Sequence, residues 1–218
     1  MMHLLPSLAL FAAAVFATTL AMNLVRKNST LVGLYLLQSL VLAIALVAIG
    51  ATTGAPGLLG AALLTFVVKA VVAPAFLLRM IRKYRARLSA ASYLNIPLSL
   101  LALAGITTFA YTFISPSLAG HEGAASISLL FASIFGTLFL MSNRRGALAT
   151  IVGVLSLENS VVLLAAIMGV EHSFALEFAI TVDIALWVAV SAEFLAMMYR
   201  QFGEVDAAAL AMNQLTED

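Results

Sequence analysis

Gly153-Val154-Leu155-Ser156-Leu157-Glu158-Asn159-Ser160-Val161-Val162-Leu163-Leu164 sets an acid and an amide side by side within an apolar run. The run extends from about Ala147 to Gly169. That is long enough to cross a bilayer, because a spanning helix needs roughly 20 apolar residues. A carboxylate at that depth costs at least a few kcal/mol, of order 2.5–3.5 on insertion scales, when it is ionised and unpaired. Glu158 therefore implies a membrane helix with a partner, or a use, for its charge.

Composition extends this reading to the whole chain. Of 218 residues, 63% are hydrophobic and only 10% charged. A soluble domain would carry about 25% charged residues. The expected class is all-α, a polytopic membrane protein with little sequence left for a soluble domain. The net charge of +1 and the lack of a long basic run give no sign of a nucleic-acid partner. Cysteine is absent, which removes disulfides, thiolate metal sites and a cysteine nucleophile together. His3, His121 and His172 fall at the edges of different segments, so no metal or haem site is expected in this chain.

Seven spanning helices are expected, at about 3–25, 30–50, 58–81, 91–114, 124–141, 147–169 and 173–199. Polar, Gly or Pro punctuation separates them, as in Thr52-Thr53-Gly54-Ala55-Pro56-Gly57 and Ser115-Pro116-Ser117. The first segment lacks the basic lead of a signal peptide and is followed by Arg26-Lys27, which fits a retained helix. Basic residues cluster at Arg26-Lys27, from Arg79 to Arg87, at Arg144-Arg145 and at Arg200. These are the connections after helices one, three, five and seven. The positive-inside rule then puts the N-terminus outside and the C-terminus in the cytoplasm. Residues 201–218 are too polar to span and read as a cytoplasmic tail after a transmembrane domain of residues 1–200.

Three ionisable residues fall near the middle of their helices: Lys69 in the third, Glu158 in the sixth and Asp183 in the seventh. Glu177 lies nearer the outer end of the seventh helix and Glu193 nearer its inner end. At ~100° per residue, Asp183 lies roughly 120° around the helix from Glu177 and about 80° from Glu193. One face cannot bury all three acids against the same neighbour. Intramembrane charges face the bundle interior or a wet cavity, where they pair or carry protons. Lys69 with Glu158 or Asp183 reads either as a structural pair or as part of a proton or ion relay, and spacing alone separates neither. Pro74 follows Lys69 by five residues and cannot donate to the carbonyl of Ala70, so a kink is expected there. Gln38 and Asn159 are polar at helix-interior positions and suit interhelical hydrogen bonds.

Gly33-Leu34-Tyr35-Leu36-Leu37-Gln38-Ser39 precedes Gly153-Val154-Leu155-Ser156-Leu157-Glu158-Asn159 by 120 positions. Residues 1–81 and 124–199 then read as parallel three-helix copies joined by helix 91–114, with Gln38 the neutral counterpart of Glu158. What is missing also bears on function. There is no phosphate-binding glycine loop, no nucleophile–base pair and no redox ligand set. A seven-helix photoreceptor would carry its Schiff-base lysine in the last helix, where this chain has Asp183.

In order, the stretches Gly33 to Leu42, Lys69-Ala70-Val71-Val72-Ala73-Pro74, Leu157-Glu158-Asn159-Ser160, Thr181-Val182-Asp183 and the tail Asn213-Gln214-Leu215-Thr216 resemble the hydrogenase-4 component E family. That family supplies a membrane subunit of group 4 nickel–iron hydrogenase and formate-hydrogenlyase-type complexes. Its last three helices are similar to the K-type membrane component of respiratory complex I and to the C-type component of multi-chain sodium/proton antiporters. Arg144-Arg145, Gly153 and Asn159 fit that three-helix pattern. The complex I component usually has its glutamate two residues after the glycine, where this chain has Leu155, so Glu158 is not a residue-for-residue match. The resemblance implies a non-redox membrane-arm subunit of the inner (cytoplasmic) membrane. It would link a hydrogenase module to antiporter-like subunits, with Lys69, Glu158 and Asp183 on a lateral hydrophilic axis. It also implies no catalytic centre here, with nickel–iron and iron–sulfur clusters held by partner subunits. Two alternatives stay open: membership of a multi-chain cation/proton antiporter, and a structural scaffold whose charges only pair.

Overall fold

A computed structural model describes residues 5–83, 92–118 and 123–169. These form α1 (Leu5–Leu24), α2 (Asn28–Thr53), α3 (Pro56–Leu64), a π-helical segment (Thr65–Val72), α4 (Ala73–Lys83), α5 (Ile96–Ser117), α6 (Ala124–Asn143) and α7 (Ala147–Ile167). Among the described residues there is no strand, only an isolated antiparallel bridge between Ser92 and Arg144. Among the described residues, five helical spans are long and apolar enough to cross a membrane: Asn28–Thr53, Pro56–Arg82, Ile96–Ser117, Ala124–Asn143 and Leu148–Ile167. The 20-residue α1 is a sixth apolar helix. The chain is thus a helical protein compatible with a multi-pass membrane position. The seventh expected helix, 173–199, and the tail, 201–218, lie outside the described residues.

Local chemistry accounts for the helix ends. Gly54 closes α2 in the left-handed region at φ 67°, where a side chain would be strained. Thr52 and Thr53 turn their hydroxyls back onto the carbonyls of Ala48 and Ile49, which carries α2 three residues past the expected end. The fourth expected helix starts at Ile96 rather than at 91. Asn95 caps it by accepting from the Leu98 N–H at 3.0 Å, and Pro97 sits in the first turn. The preceding segment is pinned instead to the α6 C-terminus. Tyr93 donates its backbone N–H to the Asn143 carbonyl, and Leu94 donates to the Asn143 side chain.

The third span is continuous but changes winding. Between Thr65 and Val72 it is π-helical, and the Ala73 N–H reaches the Val68 carbonyl, five residues back. The segment ends two residues before Pro74. Pro74 has no N–H and its ring crowds the carbonyl four residues back. A five-back pattern skips one donor and so accommodates that missing bond. Such π segments are rare and occur often at functional sites.

Helix α7 packs on α2 and α6, α1 packs on α6 and α2, and α5 rests mainly on α6. Small residues permit close approach at two crossings. A Cβ on Gly136 would meet Thr19 of α1 at 3.1 Å, and one on Gly153 would meet Met141 of α6 at 2.4 Å. Two apolar clusters result. One joins Met22, Leu31, Val32, Leu77, Leu140 and Leu155 at one end of the bundle. The other joins Ala12, Val15, Leu42, Leu46, Leu130 and Leu163 at the opposite end.

At the first end, Arg144 turns inward. It is 6% exposed and donates to the carbonyls of Met22 at 3.2 Å, Asn23 at 3.0 Å and Val25. These are carbonyls at the close of α1, left without intrahelical donors. A guanidinium there satisfies them and opposes the negative end of the helix dipole. Burial, and then the neighbouring Arg26, pull the Arg144 guanidinium below its ordinary range. Arg145 stands over the Tyr93 ring, 4.5 Å from its centroid.

Candidate functional site

Between the two apolar clusters lies a thin polar layer at mid-helix, to which α1, α2, the π segment, α6 and α7 contribute buried side chains. Helix α1 gives Thr18 and Thr19, α2 gives Gln38 and Ser39, and the π segment gives Thr65 and Lys69. Helix α6 gives Ser133 and Thr137, and α7 gives Ser156, Glu158, Asn159 and Ser160. On α7 the order is Leu148, Val152 and Leu155, then the polar set, then Val162, Leu163 and Ala166. The same apolar–polar–apolar order holds along α1, α2 and the third span.

Lys69 and Glu158 meet in this layer. The Lys69 Nζ lies 2.7 Å from the Glu158 Oε1, with the two residues only 1% and 8% exposed. The contact is an ion pair rather than a well-aligned hydrogen bond. Glu158 is the only acid among the described residues. Charges of opposite sign this close in a low-dielectric setting offset much of each other's desolvation. The π winding helps to set the contact, since it carries Lys69 and Thr65 toward the interior while Phe66, Val67, Val71 and Val72 face outward.

Beside the pair runs a chain of hydrogen bonds. The Asn159 Nδ2 donates to the Ser39 Oγ at 3.0 Å and reaches the Gln38 Oε1 at 3.4 Å. The Gln38 Nε2 donates to the Thr19 Oγ1 at 3.1 Å and toward the Val15 carbonyl at 3.4 Å. The Thr19 hydroxyl in turn donates to the Val15 carbonyl. Asn23, one turn further along α1, donates to the carbonyls of Thr19 at 3.0 Å and Gly136 at 3.1 Å. Tyr35 is fully buried, and its hydroxyl lies beside Ser39 and within electrostatic reach of Glu158. The Tyr35–Ser39 approach is close, but its geometry is not that of a good hydrogen bond. The polar line therefore runs from the π segment through α7 and α2 to α1 and α6, across the helices rather than along them.

Of the expected site residues, Lys69, Glu158, Gln38 and Asn159 come together in this layer, and Pro74 lies in α4, two residues beyond the π segment. Asp183, Glu177 and Glu193 lie outside the described residues. Thr18, Thr19, Tyr35, Ser39, Thr65 and Ser133 were not singled out by sequence reasoning. Serine and threonine are common in membrane helices and bond their own backbone, as Thr137 does to Ser133 and Ile134, so none stands out alone. Their signal lies in sharing one level across five helices. Among the described residues no group of three or more His, Cys, Asp or Glu side chains gathers as metal ligands would. No protein-family model, curated protein or solved structure matches the chain.

Proposed function

We propose that this chain is a non-redox membrane subunit of a larger assembly and contributes a buried polar layer to a proton path. In this reading the Lys69–Glu158 pair works as one unit. A proton arriving at Glu158 converts its carboxylate to the acid. The Lys69 ammonium releases its proton on the other side. Transfer from the acid to the free amine then restores the ion pair, and the net result is one proton moved.

The observation that carries the proposal is the polar line lying crosswise between two apolar clusters. Such a line connects sideways neighbours and suits a subunit set between others. The resemblance to hydrogenase-4 component E makes those neighbours a hydrogenase module and antiporter-like subunits of a complex-I-like oxidoreductase in the inner membrane. On that basis the basic end, with Arg26, Lys27 and Arg144, faces the cytoplasm, and the N-terminus lies outside. Redox metals belong to the partner chains. An antiporter complex with no redox module would use the same layer.

The test is proton movement by the intact complex in inverted membrane vesicles. In complexes that still assemble, Glu158→Gln should reduce coupled proton uptake at least several-fold. Normal uptake in an assembled Glu158→Gln complex rejects the path.

The 2.7 Å approach of Lys69 to Glu158 favours a second reading, in which the pair only fixes helix register. Replacing both partners with apolar residues separates the two. A scaffold keeps its coupled activity in a Lys69→Met/Glu158→Leu complex, and a proton path loses it.

A further inference from the structure

We infer that Lys69 is a specificity-determining residue: its ammonium is a tethered cation that occupies the cation position at Glu158 and keeps alkali-metal ions out. This deepens the proposed proton path by naming the ion, and it rests on that reading for its physiological meaning. The exclusion itself is a property of the folded chain.

The surroundings of Glu158 are rich in the oxygen donors that hard cations take. Its carboxylate is buried, the Tyr35 hydroxyl lies within its electrostatic reach, and the hydroxyl of Ser39 lies beside Tyr35. The Thr65 hydroxyl, on the same π segment as Lys69, is buried without a hydrogen-bond partner. Were the carboxylate's neighbour a small apolar residue, the layer would offer a sodium ion one negative charge among neutral hydroxyl oxygens. Instead the Lys69 Nζ stands 2.7 Å from the carboxylate.

A free cation faces two obstacles there. It must displace an ammonium that is covalently tied to the wall and cannot diffuse away. It must also enter beside that positive charge in a medium that screens poorly. With Lys69 in place the pair is electrically neutral, so nothing draws a second cation inward. A proton meets neither obstacle. It adds to Glu158 without needing a coordination shell, and the charge it brings is offset when Lys69 releases its own proton.

Sodium binding to the purified full-length chain tests the inference. Thermal unfolding is followed in detergent while NaCl replaces choline chloride at constant ionic strength. The unsubstituted protein should show no sodium-specific shift in Tm. Lys69→Ala opens both the space and the charge, and should gain a saturable rise of about 2–4 °C. Lys69→Gln keeps more of the side-chain volume and serves if the alanine variant fails to fold; a smaller rise is expected. Lys69→Ala/Glu158→Gln, which lacks the carboxylate, should lose the gain.

A saturable sodium shift in the unsubstituted protein overturns the inference. So does a Lys69→Ala or Lys69→Gln protein that folds and responds to sodium no better than to choline. Because the titration needs no turnover, it is read separately from the coupled-uptake experiment. A chain that excludes sodium while Glu158→Gln leaves proton uptake unchanged would retain the tethered cation and lose the path.

Discussion

At the scale of single residues, the Lys69–Glu158 contact is legible because charge is costly in an apolar run. Each residue interrupts a hydrophobic stretch near its middle, so each had to find a partner or a use. The sequence did not say which acid Lys69 would choose, and the structure places Glu158 at 2.7 Å. The energetics of such a pair are asymmetric. Removing one partner leaves an uncompensated buried charge, at a cost of about 3–5 kcal/mol, whereas replacing both by apolar groups of similar volume is often neutral. Lys69→Met and Glu158→Leu are each expected to lose stability on that scale, and the double variant to recover most of it. A double-mutant cycle on reversible unfolding in mixed micelles measures the coupling. Additive losses would mean that the two side chains do not act as a pair. The polar residues around them were not legible in the same way. Asn159 and Gln38 were visible as amides within helices. The hydroxyls of Thr19 and Ser39 acquire meaning only through the side chains that donate to them.

At the scale of elements, the first six expected helices are found among the described residues, as hydropathy predicted, and helix ends followed less closely. Hydropathy averages over many residues, but an end is decided by one or two hydrogen bonds. Thus α5 begins where Asn95 caps it, not where the apolar run begins. Arg144 shows what a charge count leaves out. In sequence it belongs to a basic pair that orients the chain. In the structure it donates to three carbonyls at the C-terminal end of α1, while Arg145 stacks on Tyr93. It therefore joins the α6–α7 connection to α1 through a contact between residues far apart in sequence. Arg144→Ala should cost about 1.5–3 kcal/mol, the range for hydrogen bonds made by a charged donor. Arg144→Lys should recover only part of this, because a single ammonium cannot span carbonyls that a planar guanidinium reaches together. Hydrogen exchange reads the effect locally. Amides in the last turn of α1 should lose protection in Arg144→Ala, while the middle of α2 should stay protected. Equal loss across all helices would assign Arg144 to general stability instead of capping.

At the scale of the whole molecule, the order of layers matters more than any one pair. A proton leaving Glu158 toward one end of the bundle meets Met22, Leu31, Leu77 and Leu140, and toward the other it meets Leu42, Leu46, Leu130 and Leu163. Among the described residues these clusters form apolar barriers in series on either side of the layer. The isolated chain should therefore insulate. Reconstituted into liposomes, it should hold a pH gradient as well as protein-free vesicles do, read with an internal pH-sensitive dye. Barriers in series also predict how the seal fails. Leu46→Ser admits water to one cluster and Leu77→Ser to the other, so each single variant still leaves an intact barrier and should stay tight. The double variant joins both faces to the polar layer and should leak. A leak in the unsubstituted chain, or in either single variant to the same degree as the double, would mean that the clusters do not seal the layer. The crosswise path would then give way to one running through the membrane. If both single variants hold and the double leaks, protons can enter the layer of the intact protein only from the side, where a neighbouring protein would have to deliver them.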